Sequence, residues 1–269
     1  METAKSADGT VIAYDRTGDG PPLVVCVGAF CTRKTFVAPA ALAERFTVYT
    51  YDRRGRGDSG DTQPFAAARE YEDLAAVVAA TGDPAPFIFG HSSGAAIALS
   101  TAAAGAAAGA PAGASAGLGR FAAIVAYEAP FKNDDAPPPA VADPAAHIRE
   151  LVQAGRRDDA ARFWMTGVVH LPAEMVAHAP WIKDLAPLTH TLPYDIAITD
   201  GGVPVQELAK ITAPVLILGG GNSPDWFQRS VAEQAAAIPG AQLTILDGYD
   251  HNAPPEVITR YLVDFCYRR

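Results

Sequence analysis

Phe87-Ile88-Phe89-Gly90-His91-Ser92-Ser93-Gly94-Ala95-Ala96-Ile97-Ala98-Leu99 reads as three pieces of local structure in a row. The apolar triplet Phe87–Phe89 suits a short buried strand. Ala95–Leu99 is a run of good helix formers. Between them lies G-x-S-x-G, a spacing that places a serine at the apex of a sharp strand-to-helix turn. Such a turn strains the serine backbone, so its close neighbours must be small, and Gly90 and Gly94 meet that need. Ser92 Oγ is then expected at the carboxyl end of a strand, beside the first N–H groups of a helix.

Outward from this turn the chain alternates. Thr10–Tyr14 predicts a strand, with Asp8-Gly9 as a hairpin turn before it. Leu23–Val27 is an unbroken apolar run, as expected for a strand buried on both faces of a parallel sheet. A helix is expected over Phe36–Arg45 with Pro39 in its first turn, a strand over Phe46–Tyr51, and an amphipathic helix over Glu70–Thr81. After the serine turn, residues 102–119 are almost all alanine and glycine and read as a helix fraying into a surface connection. Phe121–Tyr127 predicts another buried strand, closed by Glu128. Residues 133–144 are rich in Pro and Asp, and from Ala145 to about Tyr194 the pattern is helical without a strand candidate. Strands resume at Val215–Leu218 and Gln242–Leu246, each followed by a helix, over Pro224–Ile238 and Pro254–Tyr267. The expected fold class is α/β: a mostly parallel sheet flanked by helices, with an inserted helical cap. The core comprises residues 1–130 and 210–269, the insertion residues 131–209.

The chain has 269 residues, 49% of them hydrophobic and 19% charged, with a net charge of −9. That composition reads as a globular protein and speaks against nucleic acid or an anionic membrane surface as partner. Three cysteines are too few for a disulfide framework, the N-terminus lacks the order of a signal peptide, and a cytoplasmic address is expected. No His/Cys/carboxylate cluster has metal-ligand spacing, and neither metal nor cofactor is expected. The expected partner is a small-molecule substrate, and the expected state a monomer or homodimer.

The carboxyl ends of the strands are where such a sheet binds ligands. These ends read Gly28-Ala29, Asp52, Ser92, Glu128, Gly219-Gly220-Gly221 and Asp247–His251. A serine, a carboxylate and a histidine therefore share one rim, in the order Ser…Asp/Glu…His. A serine hydroxyl is a poor nucleophile at neutral pH; it needs a base, and the base needs a partner that fixes its tautomer. Of six histidines, His91 lies inside the turn and four lie in the helical insertion. Only His251 directly follows a core strand.

Three segments together resemble the α/β-hydrolase superfamily over nearly the whole chain. Tyr51-Asp52-Arg53-Arg54-Gly55-Arg56-Gly57-Asp58-Ser59-Gly60 is similar to the family's D-x-R-G-x-G-x-S loop, Gly90–Gly94 to its nucleophile elbow, and Gly248-Tyr249-Asp250-His251 to its histidine loop. The resemblance implies Ser92 as nucleophile, His251 as base, and a lid role for the insertion. It also implies an oxyanion hole from the backbone N–H of Ser93 and of Ala29, with Phe30 the alternative to Ala29. Each donor in such a hole is worth roughly 3–4 kcal/mol of barrier. Two positions depart from the family pattern. Val27-Gly28 stands for the usual His-Gly, and Ser223 precedes Pro224 where the family usually carries its acid.

Two carboxylates compete for the missing acid. Asp225 fits the first turn of a helix begun by Ser223 and Pro224, where the helix dipole favours an acid. Glu128 ends a buried strand and needs a partner to offset its desolvation. Some α/β-hydrolases carry their acid after strand six, so Glu128 is the preferred acid and Asp225 the alternative. The expectation is a cofactor-free serine hydrolase acting on a small to medium, largely apolar ester or lactone. C–C bond hydrolysis of a diketone, thioester hydrolysis, peracid formation and a hydrolase-like small-molecule sensor are the alternatives. Phe30, Trp164 and Trp181 are candidates for the substrate pocket. Gly55-x-Gly57-x-x-Gly60 matches a dinucleotide fingerprint, but no apolar helix opens after it. Arg56-Gly57-Asp58, the adhesion tripeptide, is read as chance.

Overall fold

The structure, a computed structural model, describes residues 1–36, 40–107 and 120–267. Among them, eight strands form one sheet: β1 Glu2–Lys5, β2 Val11–Thr17, β3 Pro22–Cys26, β4 Thr47–Tyr51, β5 Phe87–His91, β6 Ala123–Tyr127, β7 Val215–Gly220 and β8 Gln242–Leu246. Their spatial order is β1-β2-β4-β3-β5-β6-β7-β8. β2 runs antiparallel to β1 and β4, and the pairs from β4 to β8 are parallel.

The helices are α1 Ala40–Ala43, α2 Ala67–Ala80, α3 Ser93–Ala107, α4 Pro144–Gln153, α5 Arg157–Phe163, α6 Ala173–Ala177, α7 Ile182–Leu185, α8 Leu192–Thr199, α9 Val205–Leu208, α10 Asp225–Ala237 and α11 Pro255–Tyr267. A π-helical turn, Trp164–Val168, extends α5, and a 3₁₀ segment, Ala186–Thr191, leads into α8. All six helices from α4 to α9 fall between β6 and β7, where the sequence predicts no strand. β1 is a strand to which the sequence reading gives no bounds; only one of its four residues is buried, so no apolar alternation marks it. Of the helix expected over 36–45, Ala40–Ala43 is helical and 37–39 lie outside the described residues; so does the stretch 108–119.

The period of two along the strands divides the core. Val24, Cys26, Ile88, Ile124, Ala126, Val215 and Ile217 face the layer that holds α2, α3 and α10. Leu23, Val25, Phe89, Val125, Leu216 and Leu218 face the opposite layer, where Leu42 of α1 and Ile258, Leu262 and Phe265 of α11 cover them. Each fully buried aliphatic side chain of this kind contributes about 1.5–3 kcal/mol. The alanines of α3, Ala95, Ala96, Ala98, Ala102 and Ala103, are small enough to let that helix lie close on the sheet. A third apolar cluster, including Ile148, Leu151, Ala160, Ile182 and Leu192, sits inside the insertion. No helix of the described residues is long and apolar enough to cross a membrane.

Register then decides where the chemistry lies. Cys26 pairs with Gly90, His91 with Tyr127, and Tyr127 with Leu218. Three neighbouring strands therefore end at one level, and the residues that follow them meet on one rim.

Candidate active site

Ser92 sits between β5 and α3 with φ of 57°. Its backbone N–H donates to Tyr127 C=O at 2.9 Å, and its C=O accepts from Ala95 N–H at 2.8 Å. The flanking glycines are there for space. A Cβ on Gly90 would lie 2.5 Å from Ala95 Cα, and one on Gly94 would lie 2.1 Å from Cys26 O. Among the described residues only Phe30, Ser92, Glu128 and His170 are non-glycines with positive φ. Three of those four stand at strand ends on the rim, so backbone strain is concentrated there.

Glu128 directly follows β6, with φ of 50° and 1% exposure. Its Oε2 lies 2.7 Å from His251 Nδ1. Its Oε1 accepts from Gly220 N–H at 2.7 Å and from the Ser223 hydroxyl at 2.6 Å. A carboxylate with donors on both oxygens meets the cost of its burial. Asp225, the alternative acid, is the first residue of α10, in its first turn. Of the two carboxylates it is Glu128 that lies against His251.

Two side chains hold the His251 loop, and of these the sequence reading passes over Tyr127. The Tyr127 hydroxyl donates to Asp250 C=O and accepts from Ala253 N–H at 3.2 Å. His91 Nε2 is 2.9 Å from His251 C=O, and its ring stacks on Tyr127 with centroids 5.2 Å apart. Desolvation, aided by the nearby His251, holds the His91 imidazole down at about 3. His91 is thus neutral and donates through Nε2.

The loop after β4 is folded inward around carboxylates. Asp52 accepts from Arg33 N–H at 2.8 Å and Asp58 N–H at 2.9 Å, and pairs with the Arg33 guanidinium. A Cβ at Gly57 would lie 2.1 Å from Asp52 Oδ2. The middle glycine of the apparent dinucleotide fingerprint therefore makes room for a carboxylate, and the next helix, α2, begins only at Ala67. Arg56 is 1% exposed, so the adhesion tripeptide is not on display.

Gly28 brings the loop after β3 against the nucleophile position: a Cβ there would lie 2.6 Å from Ser92 Cβ. Ala29 follows it, and Ser93 opens α3, where the helix itself offers no acceptor for its N–H. Phe30 turns its ring into the insertion's apolar cluster, edge-on to Trp164 at 6.2 Å. Trp181 does not join them. It precedes the four-residue α7 and is 38% exposed, outside the insertion's apolar cluster. A cavity of about 270 Å³ lies elsewhere, between α3, α8 and α9, and is lined by Ser100, Phe131 and Asp200 among others. Among the described residues no group of three His, Cys, Asp or Glu is placed to hold a metal ion.

Residues 23–258 match the family model described as the alpha/beta hydrolase family. An alpha/beta hydrolase from Sphaerobacter thermophilus is 40% identical, with a TM-score of 0.87, covering 98% of this chain and 99% of that one. An esterase from a Rhodococcus species (22% identity, TM-score 0.68, 98% of each chain) has the same fold. So does an enol-lactonase from Burkholderia xenovorans (20% identity, TM-score 0.72, 98% of this chain and 99% of that one). With the serine turn, the eight-stranded sheet and a model match over most of its length, this chain belongs to the α/β-hydrolase family.

Proposed function

We propose that this protein is a serine hydrolase that cleaves a small to medium, largely apolar carboxylic ester or lactone through an acyl-enzyme on Ser92. The observation that carries this reading is the Glu128–His251 pair, 2.7 Å apart and one strand away from the strained Ser92. With Nδ1–H donated to Glu128, His251 keeps Nε2 as the basic nitrogen. That nitrogen takes the Ser92 proton as Oγ attacks the substrate carbonyl carbon. The carbonyl oxygen becomes an oxyanion held by Ser93 N–H and Ala29 N–H. As the tetrahedral intermediate collapses, the C–O bond to the leaving group breaks and His251 returns the proton to the alcohol. Water, deprotonated by His251, then releases the acid by the same steps.

Residues 131–209 act in this reading as the lid, with Phe30 and Trp164 setting the apolar character of the acyl side. An ester or lactone is favoured over a diketone because the two proposed donors serve a single carbonyl oxygen, and no further polar group is assigned to bind a second one. Proteins described as an esterase and an enol-lactonase stand among the structural relatives. The test is turnover on a panel of p-nitrophenyl esters and lactones, with fluorophosphonate labelling of the wild type and of Ser92→Ala. Repeated turnover and labelling lost only in the variant are expected. A single acylation without turnover would instead make the protein a sensor.

A further inference from the structure

Asp195 lies in α8, inside the insertion, and is 1% exposed. It is 102 residues from Ser93 and 139 from Arg56 in the chain, yet it touches both. Its Oδ1 accepts from the Ser93 hydroxyl at 2.6 Å and from Arg53 Nη1 at 2.7 Å. Its Oδ2 accepts from Arg56 Nη2 at 2.6 Å. Arg53 also donates to Ser93 Oγ at 3.0 Å and forks onto Glu70 at 2.7 and 3.0 Å. Arg56 Nη1 donates to Gly28 C=O at 2.6 Å and to Cys31 C=O at 3.3 Å.

The geometry matters because of what Gly28 C=O belongs to. A peptide unit is planar and trans, so the C=O of Gly28 and the N–H of Ala29 point in opposite directions on one rigid plate. A guanidinium fixed on that oxygen fixes the direction of the Ala29 N–H. It also polarises the amide and strengthens it as a donor. Ser93 supplies the other proposed donor through its backbone, and its side chain is clamped by the same carboxylate. Burial pushes the Asp195 carboxyl up, but Arg53 and Arg56 outweigh that and hold it below the usual carboxylate range, so it is anionic at neutral pH.

We propose that Asp195 is a positioning residue for the oxyanion hole, holding the Ala29 amide through Arg56 and the Ser93 amide through its hydroxyl. The proposal rests on the serine-hydrolase reading. In it the insertion does more than cover the site: one of its side chains sets the geometry of both proposed donors. An interaction with the hole is felt in the transition state and little in the ground state, so the signature is a loss in kcat with KM nearly unchanged.

The test uses the full chain and counts active sites by fluorophosphonate titration, so that kcat is expressed per titrated site. For Asp195→Asn, kcat on a p-nitrophenyl ester is expected to fall about 10- to 100-fold, with KM within about twofold. Binding of a trifluoromethyl ketone, which forms the oxyanion, should weaken in parallel. Ser93→Ala keeps every charge and the backbone N–H, and should lose about 3- to 10-fold in kcat. The double variant should lose less than the product of the two. A purely structural role would lower Tm and the titrated fraction and leave kcat per site untouched, and that outcome overturns the proposal. If Asp195→Asn does not fold, unchanged kcat and ketone affinity in Ser93→Ala overturn it. If the wild type neither turns over nor labels, the hydrolase reading falls first and this proposal with it. An active wild type with indifferent variants sinks this proposal alone.

Discussion

Ser223 donates its hydroxyl to Glu128 at 2.6 Å. The position where the resemblance places an acid thus carries a donor to an acid that comes from another strand. Glu128→Gln should therefore lower kcat on the order of 10⁴-fold, because the base loses the partner that fixes its tautomer. Asp225→Asn should stay within about twofold of wild type. Ser223→Ala leaves one donor on Oε1 and should cost about tenfold. Equal damage from Asp225→Asn and Glu128→Gln, measured as kcat per labelled site, would return the acid to the strand-seven loop.

The two serines of the turn are separable. Ser92→Ala should abolish both fluorophosphonate labelling and ester hydrolysis, with Tm close to wild type because alanine fits the same turn. Ser93→Ala should still label. Labelling that survives in Ser92→Ala and is lost in Ser93→Ala would mean that the register of the turn has been misread.

Gly28→Ala tests how close the β3 loop stands to the nucleophile position. The added Cβ would meet Ser92 Cβ at 2.6 Å, so something must move. Overpacking of this kind costs roughly 1–3 kcal/mol. Here the shift falls on the plate that carries the Ala29 N–H, and kcat should drop more steeply than stability. A variant with wild-type kcat would show that the loop yields without disturbing the site.

Trp164 and Trp181 should behave differently. Trp164 is 8% exposed and edge-on to Phe30. Trp164→Ala should cost about 3–5 kcal/mol of stability and change relative kcat/KM across acyl lengths. Trp181→Ala should do little to either. A uniform loss on every ester in Trp164→Ala would reduce that ring to packing alone.

His91 sets part of the acid sensitivity. Its folded value of about 3 lies below the ordinary 6.5. Between those two values the unfolded chain binds the extra proton, so stability is full above pH 6.5 and is lost as pH falls towards 3. In His91→Gln, which can still donate to His251 C=O, the fall of Tm across that window should be shallower. An unchanged slope would place the acid sensitivity elsewhere.

The positions of Ser92, Glu128 and His251 are legible in the sequence because each follows a short apolar strand, and parallel register does the rest. The sequence favours Glu128 over Asp225 as the partner of His251 because a carboxylate after a buried strand lacks the local explanation that a helix first turn supplies. The braces were not legible. Tyr127 reads as one more apolar strand residue, and its hydroxyl only finds Asp250 and Ala253 once the last loop is folded over it. Asp195 sits in a helix of ordinary pattern, far along the chain from the arginines it meets. Contacts of that separation are set by how the insertion docks, which no periodicity records. Trp164 and Trp181 look alike in sequence because burial of an aromatic ring depends on the tilt of short helices.

The pairing of α8 with Arg53 and Arg56 also limits how such enzymes can be recombined. An insertion transplanted from a relative would have to bring an anion to the place of Asp195. A foreign insertion with an apolar side chain there would cover two guanidinium groups while leaving them Glu70 alone of their present carboxylate partners. Uncompensated buried charge of that kind costs about 3–5 kcal/mol. Chimaeras that exchange residues 131–209 should therefore express poorly unless the arginines or the aspartate travel with them as a set.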